Sequence, residues 1–187
     1  MIGFAFCGSF CSFEKSLAAL IRLKEQGYDI LPIMSEVAYS TDTRFGCAAE
    51  WRDKITSVCG RDIIHSIVDA EPLGPKISLD ALVICPCTGN TLSKLASGMT
   101  DTAVCMAAKA HLRCDRPLLL ALASNDAMSA NLENIAAMLK RKNVYFLPMR
   151  QDDTVSKPHS LVANFNCLPE SLSAALNGKQ LRPLFLE

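Results

Sequence analysis

Neither sign of charge is in excess in this sequence. Nineteen Lys and Arg balance nineteen Asp and Glu, the formal net charge is zero, and no basic stripe runs along the chain. That excludes the electrostatic footprint by which proteins hold nucleic acid. Aromatics are scarce at 6%, and charged residues make up only 20%. No apolar run reaches the roughly 18 residues that would span a bilayer. The short apolar start has no basic leader, and Glu14 and Lys15 follow soon after it, which predicts no signal peptide. The patterns GxxxxGK(S/T) and GxGxxG are both missing. The first absence argues against a P-loop nucleotidase, the second against the usual dinucleotide site. Zinc spacing is missing too: Cys85-Pro86-Cys87 is too tight, and no other Cys/His pair completes a set, so no metal site is expected.

What is present is apolar: half of the 187 residues. That length suits a single domain over residues 1–187 with a full core. The nine cysteines lie inside apolar runs (Cys85, Cys105) or near turns (Cys7, Cys11, Cys87). They read as small buried hydrophobes of a reducing cytosol.

The chain is organised around Leu79–Asp101. Ala81 to Cys85 has the length and composition of a buried strand, which Pro86 is expected to stop. Thr88, Gly89, Asn90 and Thr91 then form a small polar turn. Leu92, Leu95, Ala96 and Met99 follow at helical spacing. Earlier, Met1 to Phe6 reads as a strand and Cys7 to Ser12 as a turn. A helix carrying Leu17, Leu20, Ile21 and Leu23 ends at Gly27, and Tyr28 to Met34 is a second strand. Residues 36–80 are the least readable; Trp51 to Cys59 is a candidate helix, and Asp62 to Ile67 is either a helix or a short strand. After the centre come a helix near Thr102–Leu112 and a strand over Leu118–Ala123. A polar turn, Ser124 to Ser129, leads to a helix over Asn131–Lys142 with Leu132, Ile135, Ala136 and Leu139 as its stripe. Val144 to Leu147 is the last clear strand. Residues 149–160 read as a loop, and a final helix spans about Pro169 to Leu176. The alternation predicts an α/β fold, a three-layer doubly wound parallel sheet.

In such a sheet the turns after the strands share one edge. Gly8-Ser9, Ser35 and Thr88 to Thr91 converge there, with Ser124 to Met128 close by. Each turn offers N–H groups and hydroxyls at a helix start, a setting for a phosphate that needs no lysine. Among weaker candidates, His159 and Arg150 lie in the polar segment after the last strand. Arg150 and Arg113 have the fork geometry to clamp a carboxylate. Both His65 and Cys87 read as structural residues.

The segment PCTGNTLSKLASGMTD, Pro86 to Asp101, resembles P-x-(S/T)-x-N-T-x-x-K-x-A-x-G-x-x-D of the flavin-dependent cysteine decarboxylase superfamily. That group holds phosphopantothenoylcysteine decarboxylases, lantibiotic peptide decarboxylases and flavin prenyltransferases. The whole chain is most similar to the family of B subunits of bacterial dipicolinate synthases. The stretches IGFAFCGSFCSFEK and LALASNDAMSANLENIAAMLKRKNVYFLPMRQDD carry that likeness with the central one. The resemblance implies a Rossmann/flavodoxin-like fold, FMN, and a homo-oligomer built from trimers. It places Gly8, Ser9 and Ser35 at the flavin phosphate and matches Thr88, Asn90 and Thr91 to the polar positions after the central strand. Ser124, Asn125 and Met128 fall where the superfamily borders the flavin ring and substrate. It further implies a cytoplasmic protein of a sporulating mother cell, acting with an A subunit that carries NADP to oxidise a small dicarboxylate intermediate to pyridine-2,6-dicarboxylate. The alternatives are a stand-alone FMN-dependent decarboxylase or prenyltransferase-like enzyme on a small acid, and a non-catalytic scaffold. One departure bears on them. The cysteine decarboxylases place a catalytic His before the central strand, whereas Pro72 to Asp80 has none, which argues against oxidative decarboxylation of a cysteine.

Overall fold

The computed structural model describes residues 1–187. Its centre is a parallel sheet. Strand β1 (Ile2–Phe6) pairs on one side with β2 (Ile30–Met34) and on the other with β3 (Ala81–Cys87). Next to β3 lies β4 (Leu118–Ser124), whose first half pairs with β5 (Val144–Phe146). The parallel order is therefore β2-β1-β3-β4-β5. The chain reverses its direction of winding at β1 and β3, the place where open α/β sheets leave a crevice.

Helices cover both faces. On one side α1 (Phe13–Glu25), α3 (Ala48–Cys59) and α8 (Leu168–Leu176) close a core of 23 buried residues. On the other, α4 (Ile67–Ala70), α5 (Gly89–Ser97), α6 (Ala103–Leu112) and α7 (Leu132–Leu139) close one of 27. Neighbouring residues of a strand serve opposite cores: Leu82 and Ile84 join the second, Ala81, Val83 and Cys85 the first. A strand with no wet face has no polar alternation, which is why these strands read as unbroken apolar runs.

The structure departs from the sequence reading in five places. The central strand does not stop at Pro86 but runs to Cys87, because a register shift between Ile84 and Cys87 takes the proline out of the ladder with β4. A bulge asks for no N–H there. A short helix, α2 (Glu36–Ser40), follows β2, and Ile64 makes a single parallel bridge to Ile33. Helix α7 turns Ile135 and Met138 to the core and leaves Leu132 and Leu139 exposed. Met99, beyond the left-handed Gly98 that ends α5, is exposed as well.

The fifth difference is the largest. Residues 149–160 are not a loop but the greater part of an antiparallel hairpin, β6 (Met149–Asp153) and β7 (Lys157–Ala163). It joins the sheet where β7 pairs antiparallel with Ala123 and Ser124 of β4. The turn is tied by Asp153, which accepts the Ser156 hydroxyl and the N–H groups of Ser156 and Val155. Those bonds, the Ser156 hydroxyl first, hold its carboxyl down to about 2.

His111 is buried in α6, with one ring nitrogen 2.9 Å from the Pro117 carbonyl oxygen and Nδ1 without a partner. Burial holds this imidazole below its usual range. The unfolded chain therefore binds a proton that the fold refuses, so stability falls as pH drops through the unfolded histidine range near 6.5. We expect the melting temperature to fall between pH 7 and pH 5, and His111→Gln to flatten that slope, as read by circular dichroism.

Candidate functional site

Three turns meet at the carboxyl ends of β1, β3 and β4. After β1, Gly8 and Ser9 lead through a single tight turn, Phe10–Ser12, into α1. The Ser9 and Ser12 hydroxyls lie 3.3 Å apart. After β3, Thr88 caps α5: its Oγ1 accepts the Thr91 N–H at 3.1 Å and donates to Thr91 Oγ1 at 3.1 Å. That leaves the N–H groups of Gly89 and Asn90 as the donors α5 presents outward, since a helix's first N–H groups have no acceptor within it. After β4, the Ser124 hydroxyl and Asn131 Nδ2 (2.9 Å) both donate to the Asp126 carboxylate. Those two bonds, Ser124 first, hold Asp126 below the usual carboxylate range.

The turns enclose a cleft of about 780 Å³, and Asp152, Lys157 and Ser160 to Val162 of the hairpin form its far wall. Ligand sites commonly occupy about 300–1,000 Å³. At its floor, Gly89 is the one residue the geometry tolerates. A methyl there would lie 2.4 Å from Ser124 Oγ, 2.6 Å from Asn131 Nδ2 and 2.8 Å from Asp126 Oδ1.

Six of the nine cofactor-binding residues named from the sequence line this cleft: Gly8, Ser9, Thr88, Asn90, Ser124 and Asn125. The other three do not. Ser35 is buried and caps α2, accepting the Ala38 N–H at 3.3 Å. Thr91 is buried against Thr88. Met128 packs on the core, and its N–H donates to the His159 carbonyl. His159 lines a separate small cavity beside Ser156 and Lys157, and Arg150 a different one between α1 and the hairpin. Arg113 caps the far end of α6. His65 stacks on the Tyr39 ring with centroids 3.7 Å apart, a structural contact away from the cleft. Cys87 is fully buried and its thiol is pushed well above the usual range, as burial also pushes Cys7 up to about 12. Both are packing residues.

Sequence reasoning missed Lys15, Phe45 and the Asp152–Lys157 ion pair (2.5 Å) among the lining residues, and included Asp126 only as part of the Ser124–Met128 turn. Lys15 stands in the first turn of α1, just after Gly8-Ser9, so its position in the chain was a usable signal. The ion pair had none, because it exists only once the hairpin forms.

These features define a class. The sheet is ordered β2-β1-β3-β4-β5 with a donor-rich cleft at its winding reversal, and residues 1–168 of the chain match the "Flavoprotein" family model. The dipicolinate synthase B subunit of Bacillus subtilis (strain 168) is 45% identical over 186 residues, covering 100% of this chain and 93% of that protein. The crystal structure of the dipicolinate synthase B subunit from Bacillus halodurans C superposes with a TM-score of 0.92 at 43% identity, over 100% of this chain and 95% of that one. The FMN-dependent cysteine decarboxylase SpaF shares the fold, with a TM-score of 0.68 at 21% identity and 94% of each chain covered. The chain therefore belongs to the flavoprotein family, on the branch of the dipicolinate synthase B subunits. No helix is long and apolar enough to cross a membrane.

The donor set suits a phosphorylated cofactor. Two free helix N–H groups, the Ser9 hydroxyl and Lys15 answer an anion, and Gly89 lets the Ser124–Asp126–Asn131 cluster pack against the start of α5. The Ser160 hydroxyl is shared between Asn125 Oδ1 at 3.2 Å and the Ser124 carbonyl oxygen at 3.3 Å. The Asn125 amide nitrogen makes no hydrogen bond within the protein.

Proposed function

We propose that this chain binds FMN in the cleft and serves as the B subunit of a dipicolinate synthase. In that role it acts with a nicotinamide-dependent A subunit on a dihydrodipicolinate-type intermediate. The net change is loss of a hydride equivalent and a proton as the ring becomes the aromatic pyridine-2,6-dicarboxylate, with NADP on the partner as acceptor. Bound in the cleft, the flavin supplies two-electron redox chemistry beside the substrate. The protein's own residues bind and orient. Ser9 and the N–H groups of Gly89 and Asn90 hold the phosphate, and Lys15 offsets its charge. Asn125, whose Oδ1 shares the Ser160 hydroxyl, donates to the ring edge, and the hairpin shields one side from water. Asp126, kept ionised, fixes Ser124 and the floor. The protein assembles as a trimer-based homo-oligomer, in the cytoplasm of the sporulating mother cell.

The observation that carries this reading is the convergence of three donor-bearing turns at the β1/β3 reversal, in a chain 45% identical to a dipicolinate synthase B subunit. The rival reading, a stand-alone FMN-dependent decarboxylase, is disfavoured because no histidine lines the cleft. Thiol labelling tests the placement. Cys11 lines the cleft, whereas Cys47 is exposed elsewhere. FMN is expected to slow alkylation of Cys11 and leave Cys47 unchanged; equal rates with and without FMN would reject the site. Mixing with a nicotinamide-binding A subunit tests the activity. Product formation without that partner would favour the rival.

A further inference from the structure

A second cavity, of about 380 Å³, lies between α1 and the root of the hairpin. Lys15 and Arg22 reach it from α1, Arg150 from β6, and Asn164 and Asn166 from the turn before α8. It holds three cations and no carboxylate. None of the three takes part in an ion pair of the protein. Lys15 and Arg150 make no side-chain hydrogen bond, while Arg22 donates from Nη2 to the Phe165 carbonyl at 3.1 Å. Its Nε is buried with no partner at all. A buried donor on a charged group with nothing to donate to is costly, and it leaves this guanidinium, on the wall of the cavity, with donor capacity unused. The cavity adjoins the cofactor cleft, for Lys15 and Val162 line both. Arg150 sits directly opposite Val162 in the hairpin ladder.

We infer that this pocket is the carboxylate-binding subsite for a small dianionic acid. The guanidinium groups of Arg150 and Arg22 bind its carboxylates, and Lys15 stands at the boundary with the cleft. Two planar forks match carboxylate oxygens, two amides complete the donor set, and the volume suits a one-ring diacid. The pocket is read from its own residues; the acid's identity as a pyridine dicarboxylate rests on the function proposed above.

The test is calorimetric titration of the full-length protein with pyridine-2,6-dicarboxylate, and separately with FMN, on the wild type and on Arg150→Gln. Arg150 makes no intramolecular bond, so the variant is expected to melt like the wild type. Loss of one guanidinium partner is expected to weaken diacid binding roughly 10- to 100-fold and leave FMN binding unchanged. Arg22→Gln is expected to weaken it as well, and the monoacid pyridine-2-carboxylate to bind the wild type at least about tenfold more weakly. Diacid affinity unchanged in Arg150→Gln, or equal affinity for the monoacid, would overturn the subsite while leaving the flavin reading intact. So would loss of pairing with the nicotinamide-binding partner at undiminished diacid affinity, which would give the pocket to that partner. A protein that binds the diacid but no FMN would instead strike at the proposed function and spare the pocket.

Discussion

Gly89→Ala is expected to weaken FMN binding by more than about tenfold and to destabilise the protein by about 1–3 kcal/mol, the usual cost of overpacking a filled site. The sign of the stability change is the informative part. Gly89 opens α5 with ordinary helical geometry, and at such a position alanine normally stabilises, by up to about 1 kcal/mol. Here its methyl would press on Ser124 Oγ at 2.4 Å and on Asn131 and Asp126 within 2.8 Å. Those three side chains are short and bonded to one another, so none can swing aside without breaking a hydrogen bond to the Asp126 carboxylate. Flavin fluorescence quenching reads the affinity, and thermal melting reads the stability. A variant that melts higher and binds FMN as before would show that nothing occupies the space above the helix end.

The second large effect concerns stability alone. Gly74 has φ +105°, and a methyl on it would lie 2.3 Å from the carbonyl oxygen of Ala110 and 2.9 Å from its carbonyl carbon, both backbone of α6. Backbone inside a packed helix does not yield as a side-chain tip does. Gly74→Ala should cost about 3 kcal/mol or more, which lowers the melting temperature of a chain this size by about 6–12 °C. Gly27→Ala is the matched control. Its φ is +86° with nothing within 4 Å, so it should cost only the left-handed penalty, about 1–2 kcal/mol. Similar melting temperatures for the two variants would remove the close approach of the loop to α6.

These two glycines mark what the sequence made legible. Gly89 stood inside a polar turn between an apolar strand and a helix, so its neighbourhood could be read directly. Gly74 falls in the least readable stretch, residues 36–80, and nothing in the local sequence announces Ala110, 36 residues away. The parallel strands were legible because burial on both faces leaves them uniformly apolar. The hairpin was not, because Arg150 to His159 is exposed throughout and has no period-2 pattern to betray it. Its fold comes from the ladder with β4 and from Asp153 tying the turn. Helix α7 was found, and of its expected stripe Ile135 is buried, but Leu132, Ala136 and Leu139 are exposed and Met138 faces the core instead. The cleft inherits the same division. Its floor, from the strand-following turns, was readable, and its hairpin wall, with Asp152 and Lys157, was not.

Strand β4 serves two neighbours in succession, β5 along its first half and β7 along Ala123 and Ser124. The hairpin is thus welded to the same segment that carries the cleft's floor. Swinging it outward would tear the bonds that seat Ser124, so it cannot work as a door. That wall of the cleft stays with the sheet, and entry is by the side the hairpin leaves open.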